Sequence, residues 1–289
     1  MSGTEGATSA RDLGSLSAAQ RALVDGWLPG AVVEADLSWG LTEATVLRVA
    51  SGGRTYVVKA GGPGDHHLAR EIRAHLNWLA PWTTIGRAPM LVFHDSEAKI
   101  VVTQYLPGSL ALRSTWADDP DVHRQAGTLL ALLHGQLRVR DDGWEARANT
   151  RSLAWLDGRH RIAADVVGRL RGEVMSWPTP PAYLVPTHGD WQPRNWIIHD
   201  DVVSIIDFGR ADLRPAATDF GRLAVQDFRR DPRLEQAFME GYGTDPREPA
   251  AWRRMRIRDA IGTAAWACQV GDEEFEAQGH GMIANALAG

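Results

Sequence analysis

The sequence predicts an α+β protein with two lobes, a small β-rich lobe with one inserted helix followed by a larger, mainly helical lobe. Two observations predict this class. Segments rich in Val, Thr and Ile alternate with Gly-containing turns over roughly the first hundred residues. After Pro107-Gly108, apolar residues recur mostly at helical spacing. We therefore expect a flexible tail at residues 1–15, a first lobe at 16–105 and a second lobe at 106–289.

The elements of the first lobe follow from spacing and turn residues. Helical spacing predicts helices at residues 17–28, which Pro29-Gly30 ends, and 67–79. Two runs rich in Val and Thr on either side of Gly52-Gly53 predict a β-hairpin. The strands of this lobe are predicted at residues 31–36, 44–50, 54–59, 89–94 and 99–105.

The second lobe is predicted to be helical around one short β-hairpin. Its strands, at residues 196–199 and 202–207, flank the turn Asp200-Asp201. The helices are predicted at residues 121–137, 156–171, 216–227, 232–242, 249–270 and 273–287.

Composition argues against several classes of partner. A net charge of −5 does not favour a general nucleic-acid-binding surface. No stretch approaches the ~18 continuous apolar residues of a membrane helix, and residues 1–15 lack the pattern of a secretory signal. Cys268 is the single cysteine, so no internal disulfide forms and a reducing compartment is indicated. We expect a cytoplasmic monomer or homodimer with no nucleic-acid or membrane partner.

One segment of the second lobe carries the candidate chemistry. It contains His188-Gly189-Asp190, then Asn195, and then Asp207-Phe208-Gly209 after the predicted hairpin. The Asn follows the first Asp by five residues, and the second Asp follows the Asn by twelve. Phosphoryl transfer uses such a set, in which one oxygen-bearing side chain orients the attacking hydroxyl and two hold Mg²⁺. The alternative is that both Asp residues only form turns.

Lys59 and Glu71 are the candidate nucleotide-binding pair. Lys59 ends a strand in which it follows Tyr56-Val57-Val58, as does the phosphate-binding lysine of kinases. A lysine at a strand end needs a carboxylate to hold it, and Glu71 lies on the next predicted helix. The alternative is a surface lysine on an edge strand and a solvated glutamate.

Two backbone segments are further candidates for nucleotide contacts. In the loop at residues 38–43, Ser38, Gly40 and Thr42 would cap the phosphates with N–H groups and hydroxyls. At the junction of the lobes, the extended backbone of residues 104–106 (Gln104, Tyr105 and Leu106) would bond an adenine edge. The alternatives are an ordinary hairpin turn and a plain linker.

Together these residues resemble the aminoglycoside phosphotransferase and choline kinase-like family, over about residues 31–222. The resemblance implies a protein-kinase-like fold and a kinase that uses ATP or GTP with Mg²⁺. It implies that Asp190 is the catalytic base, that Asn195 and Asp207 bind the metal, and that Lys59 contacts phosphates while paired with Glu71.

The distance from Gly209 to Asp219 bears on the acceptor. Only nine residues separate them, which leaves no room for the long activation loop of a protein kinase. We therefore expect a small hydroxylated acceptor rather than a protein. Residues that flank the catalytic loop or form acidic clusters are candidates for binding it, namely Trp191, Arg194, Asp227, Asp231, Glu273 and Glu274. The acidic clusters would bind ammonium groups, or they are solvated helix faces.

The sequence therefore favours an O-phosphotransferase that acts on an antibiotic such as an aminoglycoside. Alternatives are a kinase for a metabolite such as choline, homoserine or a sugar-like alcohol, and a kinase for a macrolide or a peptide antibiotic. A nucleotide-binding pseudokinase is a further alternative, but it has no chemical need for Lys59, Asp190, Asn195 and Asp207 together.

Overall fold

The computed structural model describes residues 13–38 and 44–288. The chain divides into two compact units, one of residues 1–117 and 193–212, the other of residues 118–192 and 213–289. Strands dominate the first unit and helices the second. The boundary between residues 105 and 106 stays a prediction, and the tail at residues 1–15 lies largely outside the described residues.

The first unit is built on a five-stranded antiparallel sheet with the strand order β1-β2-β3-β5-β4. Its strands are β1 (Val32–Asp36), β2 (Thr45–Ser51), β3 (Arg54–Ala60), β4 (Leu91–Asp95) and β5 (Ile100–Gln104). Gly52 and Gly53 form the predicted tight turn between β2 and β3, with φ of 56° and 74°, which glycine adopts without strain.

Two α-helices of the first unit pack against this sheet, and a short third helix follows them. Helix α1 (Ala18–Trp27) begins with a capping box between Ser17 and Gln20, and its Val24 joins a core that also contains Val49 and Val58. Helix α2 (Leu68–Asn77) packs Leu68 and Ile72 against Val101 of β5, and the short α3 (Ala80–Thr83) follows it. This packing fixes α2 beside β5, the neighbour of strand β3, which carries Lys59.

The candidate metal-binding residues lie just before and just after the hairpin of a second, three-stranded sheet of the first unit. The strand order of this sheet is β10-β9-β6, with β6 (Ser109–Leu110), β9 (Trp196–His199) and β10 (Val202–Ile205). At the open end of the hairpin, Trp196 pairs with Ile205, and the N–H of Ile206 donates to the carbonyl of Asn195 at 3.0 Å. This bond fixes the residue before Asp207 against Asn195.

The second unit is mainly helical. Its helices are α4 (Pro120–His134), α5 (Trp144–Asp157), α6 (Ala164–Ser176), α7 (Gly221–Val225), α8 (Asp227–Arg230), α9 (Pro232–Tyr242), α10 (Pro249–Val270) and α11 (Glu273–Ala288). A small sheet of order β11-β8-β7 accompanies them, with β7 (Val139–Asp141), β8 (Ala182–Thr187) and β11 (Asp212–Arg214). The absence of a side chain on Gly127 of α4 lets α9 approach closely: an added Cβ would lie 2.1 Å from the carbonyl oxygen of Phe238.

One predicted helix is wrong. The sequence predicts a helix at residues 156–171, whereas α5 ends at Asp157 and α6 begins at Ala164. The extended backbone of Gly158 ends α5, while Leu156 and Leu170 bury their side chains in one core. The apolar spacing thus continues across a break in the backbone. None of the helices among the described residues has the length and apolarity to cross a membrane.

Candidate active site

Lys59 is the centre of a charged cluster in the first unit. Its Nζ donates to Oε2 of Glu71 at 2.6 Å and to Oδ1 of Asp207 at 2.8 Å. Strand β3, helix α2 and the end of the β9–β10 hairpin thus each bring one member. Glu71 is buried, whereas 44% of the Asp207 side chain remains exposed. One ammonium therefore holds a buried carboxylate and an accessible one.

Burial and charge act in opposite directions on the members of this cluster. Burial alone lowers the pKa of Lys59, but the charges of Glu71 and Asp207 outweigh it and raise the pKa above its usual value. Burial, together with the charge of Asp207, raises the pKa of Glu71, while Lys59 opposes that change. Lys59 is therefore an ammonium, as a lysine that contacts phosphates must be.

His75 lies one helical turn after Glu71 and contacts the segment that carries Asp207. Its ring packs edge-on against Phe208, with the ring centroids 5.3 Å apart. Neither ring nitrogen bonds to a described residue, although both are buried. Burial, with the charges of Lys59 and His94, lowers the pKa of His75 to about 4. The imidazole is therefore neutral at physiological pH and acts as an apolar support for Phe208.

We expect His75 to make the stability of the protein depend on pH between about 6.5 and 4. In this window the unfolded chain binds a proton at His75 and the folded chain does not, so the free energy of unfolding falls as the pH falls. The contribution of neutral His75 to the free energy of unfolding is fully present above pH 6.5. At most about 3 kcal/mol of it is lost by pH 4. Urea unfolding at several pH values measures it. His75→Leu should remove this part of the pH dependence, and an unchanged slope in the variant would contradict the assignment.

Asn195 and Asp207 carry the kinds of oxygen donor that Mg²⁺ prefers, and the backbone bond between Ile206 and Asn195 brings their neighbours together. Asp207 has a φ of 66°, a left-handed conformation that Asp tolerates better than most residues. His67 fixes the chain beyond it, through a hydrogen bond between its Nδ1 and the Gly209 carbonyl at 3.0 Å. One amide and one carboxylate match the way proteins hold Mg²⁺, with phosphates and waters completing its shell. Among residues 13–38 and 44–288, no cluster of three or more His, Cys, Asp or Glu suggests another metal.

Only some of the residues predicted to contact the nucleotide through loop or backbone groups lie among the described residues. Ser38 closes the end of the first hairpin, because its Oγ accepts from the N–H of Val46 at 2.9 Å. Gly40 and Thr42 lie outside the described residues. At the predicted lobe junction, the N–H groups of Gln104 and Tyr105 donate to backbone carbonyls at 2.9 and 3.1 Å. An adenine edge would therefore need the carbonyl groups there or the N–H of Leu106.

Asp190 belongs to the second unit and is almost fully buried, with 1% of its side chain exposed. Its Oδ1 accepts from Nε2 of Gln192 at 2.6 Å and from Nε of Arg222 at 2.9 Å. Two donors on one oxygen hold the carboxylate in a fixed orientation. Arg222 carries no motif of its own, and the sequence did not indicate it.

The loop around Asp190 is held from inside the second unit by Asp219. Its carboxylate accepts from the backbone N–H of His188 at 2.8 Å and of Gly189 at 2.7 Å. His134 binds the same carboxylate through Nε2 at 3.1 Å, and its Nδ1 contacts the Tyr242 hydroxyl at 2.9 Å. Although burial raises the pKa of Asp219, these partners outweigh burial and lower it below its usual value. Asp219 is thus an ionised anchor for the loop.

The predicted acceptor residues take several different environments. Trp191 is buried and packs edge-on against His188, so it supports the loop from inside. Arg194, in the first unit, is half-buried. Glu273 and Glu274 are exposed in the first turn of α11.

The acidic residues Asp227 and Asp231 are paired with arginines. Asp227 is buried, and burial raises its pKa although Arg230 contacts it at 3.2 Å. Arg233 lowers the pKa of Asp231 to about 2 by hydrogen bonding and charge. These carboxylates have cationic partners within the chain, whereas Glu273 and Glu274 are open to solvent.

Comparisons with known proteins identify the class of fold. The model of the phosphotransferase enzyme family matches residues 35–257. Macrolide 2'-phosphotransferase MphH from Brachybacterium faecium is similar, with 19% identity, a TM-score of 0.62, and coverage of 92% of this chain and 96% of that one. Choline kinase LicA from Streptococcus pneumoniae has 15% identity and a TM-score of 0.67, covering 93% of this chain and 97% of its own.

An antibiotic-bound structure is also similar. A thermostable mutant of aminoglycoside phosphotransferase APH(4)-Ia, in a ternary complex with ADP and hygromycin B, has 13% identity and a TM-score of 0.66, with 94% of this chain and 98% of that one covered. No curated protein matches the sequence. At these identities the solved structures speak to fold, and they confirm the predicted α+β, protein-kinase-like class.

Proposed function

Because this chain belongs to the phosphotransferase enzyme family and is a small-molecule kinase, we propose that it transfers the γ-phosphate of ATP or GTP to a hydroxyl in a Mg²⁺-dependent reaction. The observation that carries the proposal is the contact of Lys59 with both Glu71 and Asp207. These residues come from three separate parts of the chain, and a cluster of one ammonium and two carboxylates with perturbed pKa values is typical of a functional site.

The first unit supplies the nucleotide half of the reaction. Lys59 contacts the phosphates and is kept in place by buried Glu71. Asn195 and Asp207 would hold Mg²⁺, which when bound neutralises charge on the β- and γ-phosphates. The loop with Ser38, Gly40 and Thr42 would cap the phosphates, and the backbone of residues 104–106 would bond the purine.

The second unit supplies the acceptor half. Asp190 accepts the proton of the acceptor hydroxyl and orients the hydroxyl oxygen toward the γ-phosphorus. A bond forms between that oxygen and the γ-phosphorus as the bond between the γ-phosphorus and the leaving oxygen of the nucleoside diphosphate breaks. The transition state of phosphoryl transfer is loose, so orientation of the hydroxyl matters more than strong basicity. Asp219 supports this task by fixing the backbone of the loop that carries Asp190.

We propose an antibiotic acceptor, with an aminoglycoside first. Its support is the fold likeness to an aminoglycoside phosphotransferase complex with hygromycin B and the exposed Glu273 and Glu274, which are available to ammonium groups. The arginine partners of Asp227 and Asp231 make that cluster a weaker site for a cation. A macrolide or a peptide antibiotic, with Trp191 and Arg194 shaping the pocket, is the alternative within this class.

A metabolite kinase is the second candidate function. The likeness to choline kinase LicA, at a TM-score of 0.67, favours an amino alcohol such as choline as its acceptor. Both candidates share the nucleotide half of the site and differ only in the acceptor. We place either enzyme in the cytoplasm, because the single cysteine suits a reducing compartment. We propose that it is a monomer or a homodimer.

A release assay for ADP and GDP tests the proposed function. ATP and GTP are each offered with Mg²⁺ and a panel of aminoglycosides, macrolides, peptide antibiotics, choline, homoserine and sugars. Acceptor-dependent release that Asp190→Asn abolishes, with a phosphorylated acceptor seen by mass spectrometry, is the expected result. Nucleotide binding without release on any acceptor would favour the pseudokinase, and the absence of nucleotide binding would overturn the proposal.

A further inference from the structure

We propose that Arg222 is a positioning residue for Asp190, which keeps the carboxylate ionised and aimed for the acceptor hydroxyl. The proposal rests on the proposed function, since it concerns the residue assigned there as the catalytic base. It adds a side chain from outside the HGD, Asn and DFG motifs to the machinery of the reaction.

The contact is direct and joins two different parts of the second unit. Arg222 lies in α7, the helix that follows Asp219, and its Nε is 2.9 Å from Oδ1 of Asp190. The partner is a carboxylate with 1% of its side chain exposed, whereas 32% of the Arg222 side chain is exposed. An ion pair with a buried partner is screened less by solvent than a surface pair. The ion pair therefore joins a partly exposed guanidinium to a buried carboxylate.

The geometry restricts how the Asp190 carboxylate can turn. Gln192 donates to the same Oδ1 at 2.6 Å, from the opposite end of the loop to the Asp219 anchor. Two N–H donors converging on one oxygen fix the rotation of the carboxylate plane. Gln192 alone is neutral, so only Arg222 contributes a positive charge to this pair of donors.

The charge of Arg222 has a chemical consequence. A cation beside a carboxylate favours its ionised form, and the base must be ionised before it can accept a proton. A neighbouring cation also weakens the base. The cost of weaker basicity is small where transfer through a loose transition state depends mainly on orientation. Arg222 thus lowers the proton affinity of Asp190, fixes the orientation of its carboxylate and widens the pH range in which it is ionised.

Two further groups face Arg222 within the second unit. The Phe275 ring of α11 lies 5.9 Å from the guanidinium carbon. Asp259 of α10 is exposed to solvent, and its carboxylate lies close to the backbone of Gly221, where an added Cβ would approach it to 3.2 Å. The positive charges of Arg222, Arg258 and Arg214 act on the Asp259 carboxylate and favour its ionised form. Arg222 is therefore placed between two acids, and a test must separate them.

Carboxyl titration tests the proposal without any acceptor. The protein is labelled with [¹³Cγ]aspartate, and Asp190→Asn identifies the Asp190 resonance. In Arg222→Met the titration midpoint of that resonance should rise by about one pH unit, since a nearby opposite charge is lost. Arg222→Lys keeps the charge and should stay within about 0.3 units of the wild type. Asp259→Asn measures how far the second acid contributes.

Turnover supplies the second readout, with whichever acceptor the wild type phosphorylates. Arg222→Met should lower kcat by about tenfold or more, with an unchanged KM for the nucleotide and an acidic limb at higher pH. Arg229→Met is the matched control, because Arg229 is exposed in α8 and its side chain makes no hydrogen bond or ion pair with a described residue; its kcat should equal that of the wild type. Should Arg222→Met not fold, Arg222→Gln takes its place.

The outcomes separate the two proposals. An unchanged Asp190 midpoint in folded Arg222→Met overturns the role of Arg222, and so does a wild-type kcat. A lower kcat that matches a lower melting temperature, with no movement of the midpoint or the acidic limb, assigns Arg222 a structural role and also overturns it. An inactive wild type in which the midpoint moves as expected would instead count against the proposed function.

Discussion

Asp190→Asn is expected to lower kcat by about 10²–10⁴-fold, the range for loss of a positioned acid–base group. Asparagine keeps the size and shape of the side chain, and its amide oxygen can still accept from Gln192 and Arg222. What the variant loses is the negative charge that attracts and orients the acceptor's proton. The loss corresponds to about 3–5 kcal/mol of transition-state stabilisation.

Nucleotide binding should survive this substitution. Lys59, Asn195 and Asp207 belong to the first unit and Asp190 to the second, so the proposed phosphate and metal contacts are unchanged. We expect the Kd of Mg·ATP, measured by calorimetry, to stay within about threefold of the wild type. The separation of kcat from nucleotide affinity distinguishes loss of the base from general damage to the fold.

A matched control exists on the same unit. Asp165→Asn makes the identical chemical change at an exposed position of α6, and kcat should not change. Turnover of Asp190→Asn at the wild-type rate would refute the role of Asp190. A loss of kcat accompanied by an equal loss of nucleotide affinity would show that the effect is not confined to the acceptor half.

The contacts that the sequence could anticipate are those whose partners share a regular element or a short motif. Lys59 was expected to meet Glu71 because a strand end and the next helix pack together, and they do. The hairpin of β9 and β10 was predicted from its own turn residues. Local spacing encodes both features, so no knowledge of the tertiary fold was needed.

The contacts that escaped prediction depend on tertiary packing. Asp207 and Arg222 reach Lys59 and Asp190 only after distant segments fold together, and no spacing rule connects them. The break at Gly158 was missed because Leu156 and Leu170 enter one core from two different helices. Their spacing in the sequence is therefore that of a single helix, although a loop separates the two helices.

The acidic clusters illustrate the same limit for charge. Asp227, Asp231 and Glu235 form an acidic run in the sequence, but each has an arginine partner in the structure. Arg247, which pairs with Glu235, lies twelve residues away. Net local charge in a sequence does not show which carboxylates remain open to a ligand, because it omits partners that folding supplies.

Asp207→Asn is expected to remove the effect of Mg²⁺ on nucleotide binding and to lower kcat by at least about 10²-fold, since the accessible carboxylate is the charged member of the proposed metal pair. Asparagine is the sharper choice over alanine because residue 207 has a φ of 66°. Asn tolerates that conformation, whereas Ala would add roughly 1–2 kcal/mol of backbone strain. The substitution therefore removes a charge without distorting the turn.

Lys59 should remain in place when Asp207 is neutral. Its bond to Glu71 at 2.6 Å does not involve Asp207, so the Lys59 ammonium still neutralises the buried Glu71 carboxylate. Residual affinity for the nucleotide without metal is then expected to match the wild type, which ties any difference to the metal. Calorimetry of ATP binding in Mg²⁺ and in EDTA measures both terms for both proteins.

The comparison has a control in the same hairpin and a clear contrary result. Asp200→Asn makes the same change at another residue with positive φ, 48°, whose side chain is 89% exposed; binding and kcat should be unaffected. If Mg²⁺ still tightens nucleotide binding to Asp207→Asn as it does for the wild type, Asp207 does not hold the metal. If Mg²⁺ does not tighten nucleotide binding to the wild type either, neither Asn195 nor Asp207 holds the metal, because the proposal assigns the metal to the two residues jointly.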